Sequence, residues 1–255
     1  MCKKSEDKLY IMPITRIDLI DKYYTNIKID EDYLELYSVR TAIFDAVKEN
    51  LSKFNGVVLD LGCGIMPYKE FIIENRDGIK YIGVDFEKPA GAEYEMVQPD
   101  LFWDGISIPL EANSVETVLA TEILEHCSNP EIVLKEVFRV LKPGGNLIFT
   151  VPFVWNIHLV PYDEYRFTPF ALHRHLGNSG FNNIALKALG LWDASLAQML
   201  GIWYKNRPSK YKKSFSLVFV WCIQFLLRKD KLLDKSKIYV EGVMISGLSG
   251  TAKKI

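Results

Sequence analysis

At 255 residues, with 49% hydrophobic and 25% charged side chains, the chain can build one large α/β domain with a full core, or such a domain with an appendage, and the second is expected. Its 31 basic residues against 32 acidic ones leave a formal charge of -1, which excludes a global field that would recruit nucleic acid or an anionic membrane, so basic clusters count only locally. Cys2, Cys63, Cys127 and Cys222 lie far apart and form no C-x-x-C pair. Neither a zinc site nor a disulfide framework is expected, and a reducing cytoplasm is the expected compartment.

Met1 to Lys8 is polar and charged and does not read as a secretory signal. No stretch reaches the roughly 18 apolar residues of a membrane-spanning helix. Residues 1–50 are predicted to form an N-terminal helical segment, with a charged and aromatic tail, a short helix over 16–24 and a longer one over 31–53. In the longer helix Tyr33, Leu36, Tyr37, Phe44, Val47 and Leu51 recur at steps of three, four and seven, which marks one apolar face. Asn55-Gly56 ends it. Val57 to Leu61 then reads as a buried first strand, apolar except for Asp60, as expected where both faces of a sheet are covered.

A sharp turn follows at Gly62-Cys63-Gly64, where backbone can approach a ligand, and a helix over 67–75 carries Pro67 in its first turn. Lys80 to Val84 is a second strand delivering Asp85 at its carboxyl end. A third strand is predicted over 94–98, followed by Pro99, Asp100 and Leu101 and a loop with Phe102 and Trp103. Val115 to Ala120 is the fourth strand, and Thr121, Glu122 and His126 leave its carboxyl end. Asn129, Pro130 and Glu131 give a cap, a first-turn proline and a favourable acid for a helix running to Leu141. Pro143-Gly144-Gly145 stops that helix before a fifth strand over 146–151.

Strands alternating with helices of about ten residues mean βαβ units and a parallel sheet with right-handed crossovers. Ligands of such sheets bind at the carboxyl ends of the strands, where Asp60, Asp85, Asp100, Thr121 and Glu122 converge. Two cofactor classes suit this arrangement: dinucleotides and S-adenosylmethionine (SAM). The dinucleotide fingerprint needs a third glycine three positions after the second, and here that position is Pro67. A carboxylate at Asp60, two residues before the first glycine, suits an ammonium group better than a pyrophosphate.

The segments VVLDLGCG (57–64), GVDFE (83–87), PDLF (99–102), VLATEILEHCSNPEIVLKEVFRVLKPGGNLIFTVP (118–152) and NSGF (178–181) together resemble the class I SAM-dependent methyltransferases, in particular the ubiquinone/menaquinone-type branch acting on small molecules. The resemblance covers about residues 50–190. It implies a Rossmann-like, doubly wound α/β sheet of seven strands, mostly parallel with an antiparallel seventh, spanning 51–255. It also implies SAM as cofactor with S-adenosylhomocysteine as product, and no metal. On this resemblance Asp60, Gly62 and Gly64 hold the methionyl end, Asp85 takes the ribose hydroxyls, Phe86 lies against the adenine, Asp100 and Leu101 meet the adenine edge, and Thr121 and Glu122 border the methionyl group and the transfer site.

Methyl transfer from a sulfonium needs alignment first, and a base when the acceptor is an alcohol. The loop from Pro152 to Pro169 is the richest source of candidates. His158 is the expected base, with Asp163, Tyr165 and Arg166 orienting the acceptor and His126 as the alternative base; a local Asp163–Arg166 ion pair is the plainer reading. His173 and His175 are expected on the solvent side of the next helix. A sixth strand is predicted over 181–189 and the seventh within 238–250. Between them lies an insertion at about 192–236, whose apolar run 215–227 is flanked by Lys210, Lys212 and Lys213 before and by Arg228, Lys229 and Lys231 after. That run suits the protein's own core, a dimer contact or docking on a membrane surface. The expected acceptor is small, lipid-linked or a glycan, and nucleic acid is not expected, since there is no N/D-P-P-Y-type motif. The alternative is a SAM-binding assembly or regulatory protein without catalysis.

Overall fold

Val57–Leu61 forms strand β1, whose side chains alternate between two buried layers: Val58 faces one and Leu59 and Leu61 the other. The computed structural model describes residues 15–87, 97–206 and 212–255. β1 pairs in parallel with β2 (Lys80–Phe86) and β4 (Val115–Thr121), β2 with β3 (Leu101–Trp103), and β4 with β5 (Leu141–Pro152). β7 (Gly247–Lys253) inserts antiparallel between β5 and β6 (Asn182–Gly190), giving the order β3-β2-β1-β4-β5-β7-β6. The seven-stranded, mostly parallel sheet with an antiparallel seventh strand is therefore as expected.

Helices α1 (Arg16–Ile20), α2 (Leu34–Glu49) and α3 (Lys69–Asn75) precede or interleave the first strands, and α4 (Pro130–Val140) and α5 (Pro169–Asn178) follow β4 and β5. One layer buries Ile43, Ala46 and Val47 of α2 and Ile72 of α3 against Val58, Leu119 and Ile148. The other buries Val133, Leu134 and Val137 of α4 and Leu172 and Leu176 of α5 against Leu59, Val118 and Phe149. Two helices, α6 (Trp192–Asn206) and α7 (Lys212–Asp230), occupy the region between β6 and β7. None of the helices among the described residues is long and apolar enough to cross a membrane.

Several expectations need correction. The third strand lies at Leu101–Trp103, in what was expected to be a loop; of the residues predicted for it, 94–96 lie outside the described residues and Val97 and Gln98 are not in a strand. Asp100 causes this placement: its amide donates to the Gly83 carbonyl and its carboxylate accepts from the Gly83 amide, so pairing with β2 starts there. Of the predicted stripe Val47 is buried and Phe44 and Leu51 pack half-buried against the same core, but the buried line of α2 also runs through Leu34, Ser38, Ile43 and Ala46, because α6 covers one flank while the sheet covers another. β5 starts at Leu141, since Pro143-Gly144-Gly145 forms an irregular extension of the ladder rather than a separate turn. The seventh strand starts at Gly247, near the end of its predicted window. His175 is not on the solvent side: it is half-buried, with Nδ1 3.0 Å from a Glu131 carboxylate oxygen. The tail at 1–14 and Lys210 lie outside the described residues, as do the side chains of Lys212 and Lys213.

Candidate active site

Gly62 and Gly64 both adopt left-handed backbone, with φ of 70° and 50°, a conformation that glycine takes without steric penalty. The amides of Gly62 and Cys63 donate to the Val84 carbonyl, and the Gly64 amide donates to Asp85 Oδ2 at 2.6 Å. The loop is thus stitched to the carboxyl end of β2. A Cβ on Gly62 would fall 2.6 Å from the Ile123 side chain, so the turn after β4 closes directly on the glycine loop. Asp85 is buried and its other oxygen accepts from the Phe86 amide; burial pushes its pKa up. Asp60 is only 2% exposed and takes the Tyr81 hydroxyl at 2.6 Å. Burial dominates over that hydrogen bond and pushes its carboxyl up to about 7. Phe86 stacks on Trp103 at 5.2 Å, with half-buried Leu101 and exposed Asp100 next to it. Arg16 braces the turn from above, donating to the Ile65 and Met66 carbonyls and pairing with Glu70.

Thr121 ends β4 beside Thr150, and Glu122 leaves it with a left-handed φ of 52°, an uncommon conformation for a glutamate. One Glu122 oxygen, Oε1, is buried with no hydrogen-bond partner. Burial raises this carboxyl to about 7, with Thr150, Arg40 and Arg166 partly offsetting it. Three residues on, Glu125 is wholly buried with both carboxylate oxygens unpartnered, and burial first, then Glu122, holds its pKa well above the ordinary range. A neutral Glu125 is the physical consequence.

The loop after β5 folds back onto this turn, with the Glu164 and Tyr165 amides donating to the Glu125 carbonyl. It thereby brings both candidate bases together. The His126 and His158 rings lie 4.7 Å apart, edge to face. His126 Nδ1 is 3.2 Å from the Tyr162 carbonyl, and Nε2 is 3.7 Å from Glu125; burial lowers its pKa. His158 Nδ1 and its backbone amide both lie 3.1 Å from Asp163 Oδ2. Asp163 is clamped by Arg166 through two bonds of 2.6 and 2.8 Å, and these hold its carboxyl well below the usual carboxylate range. A carbonyl and a carboxylate accept from the two Nδ1–H groups, so in each neutral ring the lone pair sits on Nε2. One donor atom each from Glu125, His126 and His158 lies within 4.8 Å of the others, a spacing that a bound ion could bridge.

Asp163 and Arg166 thus form an ion pair that also fixes His158. The Tyr165 hydroxyl donates to the Ser128 carbonyl, and its ring stacks on Phe167. Sequence reasoning missed Glu125, although the i, i+3 spacing of Glu122 and Glu125 next to His126 was a usable signal. It also missed Arg16 and Arg40, whose placement depends on tertiary packing alone. The large cavity of about 730 Å³ lies elsewhere, between α2, α7 and the β6–β7 face, with Thr41, Lys187, Asp230 and Ser249 among its lining.

Residues 59–149 match the family model described as "Methyltransferase domain". The chain is 32% identical over 106 residues to a malonyl-[acyl-carrier protein] O-methyltransferase of Alcanivorax borkumensis, covering 39% of this chain and 36% of that protein. It is 23% identical over 220 residues to a ubiquinone biosynthesis O-methyltransferase of Stutzerimonas stutzeri, covering 76% of this chain and 88% of that one. A solved SAM-dependent methyltransferase from Archaeoglobus fulgidus shares the fold with a TM-score of 0.53 at 17% identity, covering 92% and 98% of the two chains. The chain spans about a third of the first relative's length and most of the second's.

Proposed function

We propose, from the premise that this chain belongs to the class I SAM-dependent methyltransferases, that it methylates an oxygen of a small acceptor with an apolar body, using His158 as base. The observation that carries the reading is the pairing of His158 with the Asp163–Arg166 clamp beside the buried Glu122–Glu125 turn. Oxygen as the site of transfer is supported by the names of two similar proteins, both O-methyltransferases. An apolar acceptor is supported by the exposed Ile157, Val160 and Tyr162 at the mouth of the same loop.

The residues fit SAM. Gly62 and Gly64 take a left-handed turn that keeps side chains off the backbone at those two positions, and the orphaned Glu122 oxygen is the partner an ammonium group would satisfy. Asp60, Gly62, Gly64, Thr121 and Glu122 would hold the methionyl end, Asp85 the ribose hydroxyls, and Phe86, Asp100 and Leu101 the adenine. Bound SAM supplies a methyl group already activated by its sulfonium. The protein's share is to align the acceptor oxygen with that carbon and to take its proton. In this reading His158 Nε2 receives the proton while Asp163 keeps the Nδ1–H in place and stabilises the cation that results. His126 is the alternative acceptor of the same proton. Neutral Glu125 keeps water and negative charge out of the space behind them.

Calorimetry with SAM and S-adenosylhomocysteine, followed by a mass screen of products from phenolic, quinol and carboxylate acceptors, tests this. Binding of both cofactor forms and methylation of an oxygen are expected. No binding by either would remove the reading, and binding without turnover across the panel would favour a non-catalytic role.

A further inference from the structure

The two helices between β6 and β7 turn apolar side chains to solvent in register. On α6 Trp192, Leu196, Met199 and Trp203 recur at i, i+4, i+7 and i+11 and all are exposed, Trp192 at 61%. On α7 Leu217, Val218, Trp221 and Phe225 form the matching stripe, with Leu217 81% and Trp221 62% exposed. Trp203 stacks on the half-buried Phe219 of α7 at 5.6 Å, which ties the exposed side of α6 to its partner helix. The opposite side of α6 is fully used: Ala197, Tyr204 and Leu34 of α2 share one core with Ile223 of α7. An added Cβ on Gly201 would lie 2.5 Å from the Leu34 carbonyl oxygen. The outward stripe is therefore surplus to what holds the hairpin on the domain, and single scattered hydrophobics do not describe it.

Charge identifies what would cover it. Residues 192–231 contain eight lysines and arginines against two acids, in a chain whose overall charge is -1. Of the acids, Asp193 is half-buried and Asp230 is 2% exposed, accepting from the Leu191 and Ala194 amides. Lys205, Arg228, Lys229 and Lys231 are exposed. Arg228 continues the Trp221–Phe225 line by one more turn, and Lys229 lies over the Phe225 ring at 4.9 Å. Tryptophans and apolar residues bordered by cations form the pattern of an element lying in the interface of an anionic bilayer. A second copy of the chain would instead have to bring cations against cations.

We propose that the α6–α7 hairpin docks the protein on an anionic lipid surface, its apolar stripe entering the headgroup boundary and Arg228, Lys229 and Lys231 meeting lipid phosphates. α6 leaves β6 at the carboxyl edge of the sheet, since β6 runs parallel to β5 through their shared antiparallel partner. The amino-terminal end of the docked hairpin therefore lies at the edge of the sheet from which the His158 and Glu122 segments also leave. Docking itself does not depend on methyl transfer.

The test is co-sedimentation of the full chain with vesicles of phosphatidylcholine alone and with vesicles that include phosphatidylglycerol, with light scattering reporting oligomeric state. Binding to the anionic vesicles, a blue shift of tryptophan emission on binding, and weakening by salt are expected. Trp203→Ser with Trp221→Ser should abolish binding while the far-ultraviolet circular dichroism stays unchanged, since both side chains are exposed. Arg228→Gln and Lys229→Gln should each weaken binding to anionic vesicles by about fivefold. Failure to bind either vesicle overturns the proposal. So does a solution dimer that the tryptophan variants convert to monomer while vesicle binding is unaltered.

Discussion

Gly62 is the residue at which backbone and packing demands coincide. Its φ of 70° already disfavours any side chain, and Ile123 occupies the space a Cβ would need. Gly62→Ala should cost ~1–3 kcal/mol of stability and weaken SAM binding, read by denaturant unfolding and calorimetry; an unchanged midpoint would mean that the turn relaxes freely. Asp163 makes a separable prediction, because it touches no part of the glycine loop. Asp163→Asn should lower turnover by ~100-fold, the scale of one general base, and leave SAM affinity as it was. Loss of cofactor affinity in this variant would move the pair from acceptor chemistry to cofactor binding. The positions of Asp60, Gly62, Gly64, Asp85 and Glu122 at strand ends were legible in the sequence because strand runs and glycine turns are local signals. The fixing of His158 by Asp163 and Arg166 was not, since the loop that carries them has no period and is placed by contacts to distant segments, among them Glu125, Ser128 and Ser246.

At the scale of elements, α6 rests on α2 through a glycine with no room to spare. Gly201→Ala would press a methyl group against the Leu34 carbonyl and lift α6, at a cost of ~1–3 kcal/mol, measurable as a lower thermal midpoint. A neutral result would show that the two helices slide without penalty. The strands read correctly from sequence were β1, β2 and β4, marked by their apolar runs, and β6, displaced by one residue. β3 was misplaced because its three residues follow from Asp100 pairing with Gly83, a contact 17 residues apart. The stripe of α2 was misread because two different neighbours bury it, and a one-sided pattern describes only one of them.

On the scale of the whole molecule, burial shifts the carboxyl groups of Asp60, Asp85, Glu122 and Glu125 among the described residues toward the neutral form. Asp60 and Glu122 titrate near 7 in the fold, pushed up by burial, and burial holds Glu125 well above its ordinary value. Unfolded, the same groups titrate near 4. The fold therefore holds more protons than the unfolded chain between these values, and stability falls as pH rises from about 4 to about 7, at up to ~1.4 kcal/mol per pH unit for each group. Thermal midpoints of the cofactor-free protein should drop across that window, and Asp60→Asn, which keeps an oxygen for Tyr81, should reduce the slope; a flat profile would show the groups ionised throughout. A different consequence lies in the position of β7. It is the last of the seven strands in the chain, yet it sits inside the sheet, bonded to β5 on one side and to β6 on the other. During synthesis β6 has no partner and β5 keeps an open edge until residues 247–253 have left the ribosome, so folding of this half of the sheet waits for that strand. Nascent chains stalled before Gly247 expose two unpaired strand edges, and they form the population that holding chaperones would have to shelter.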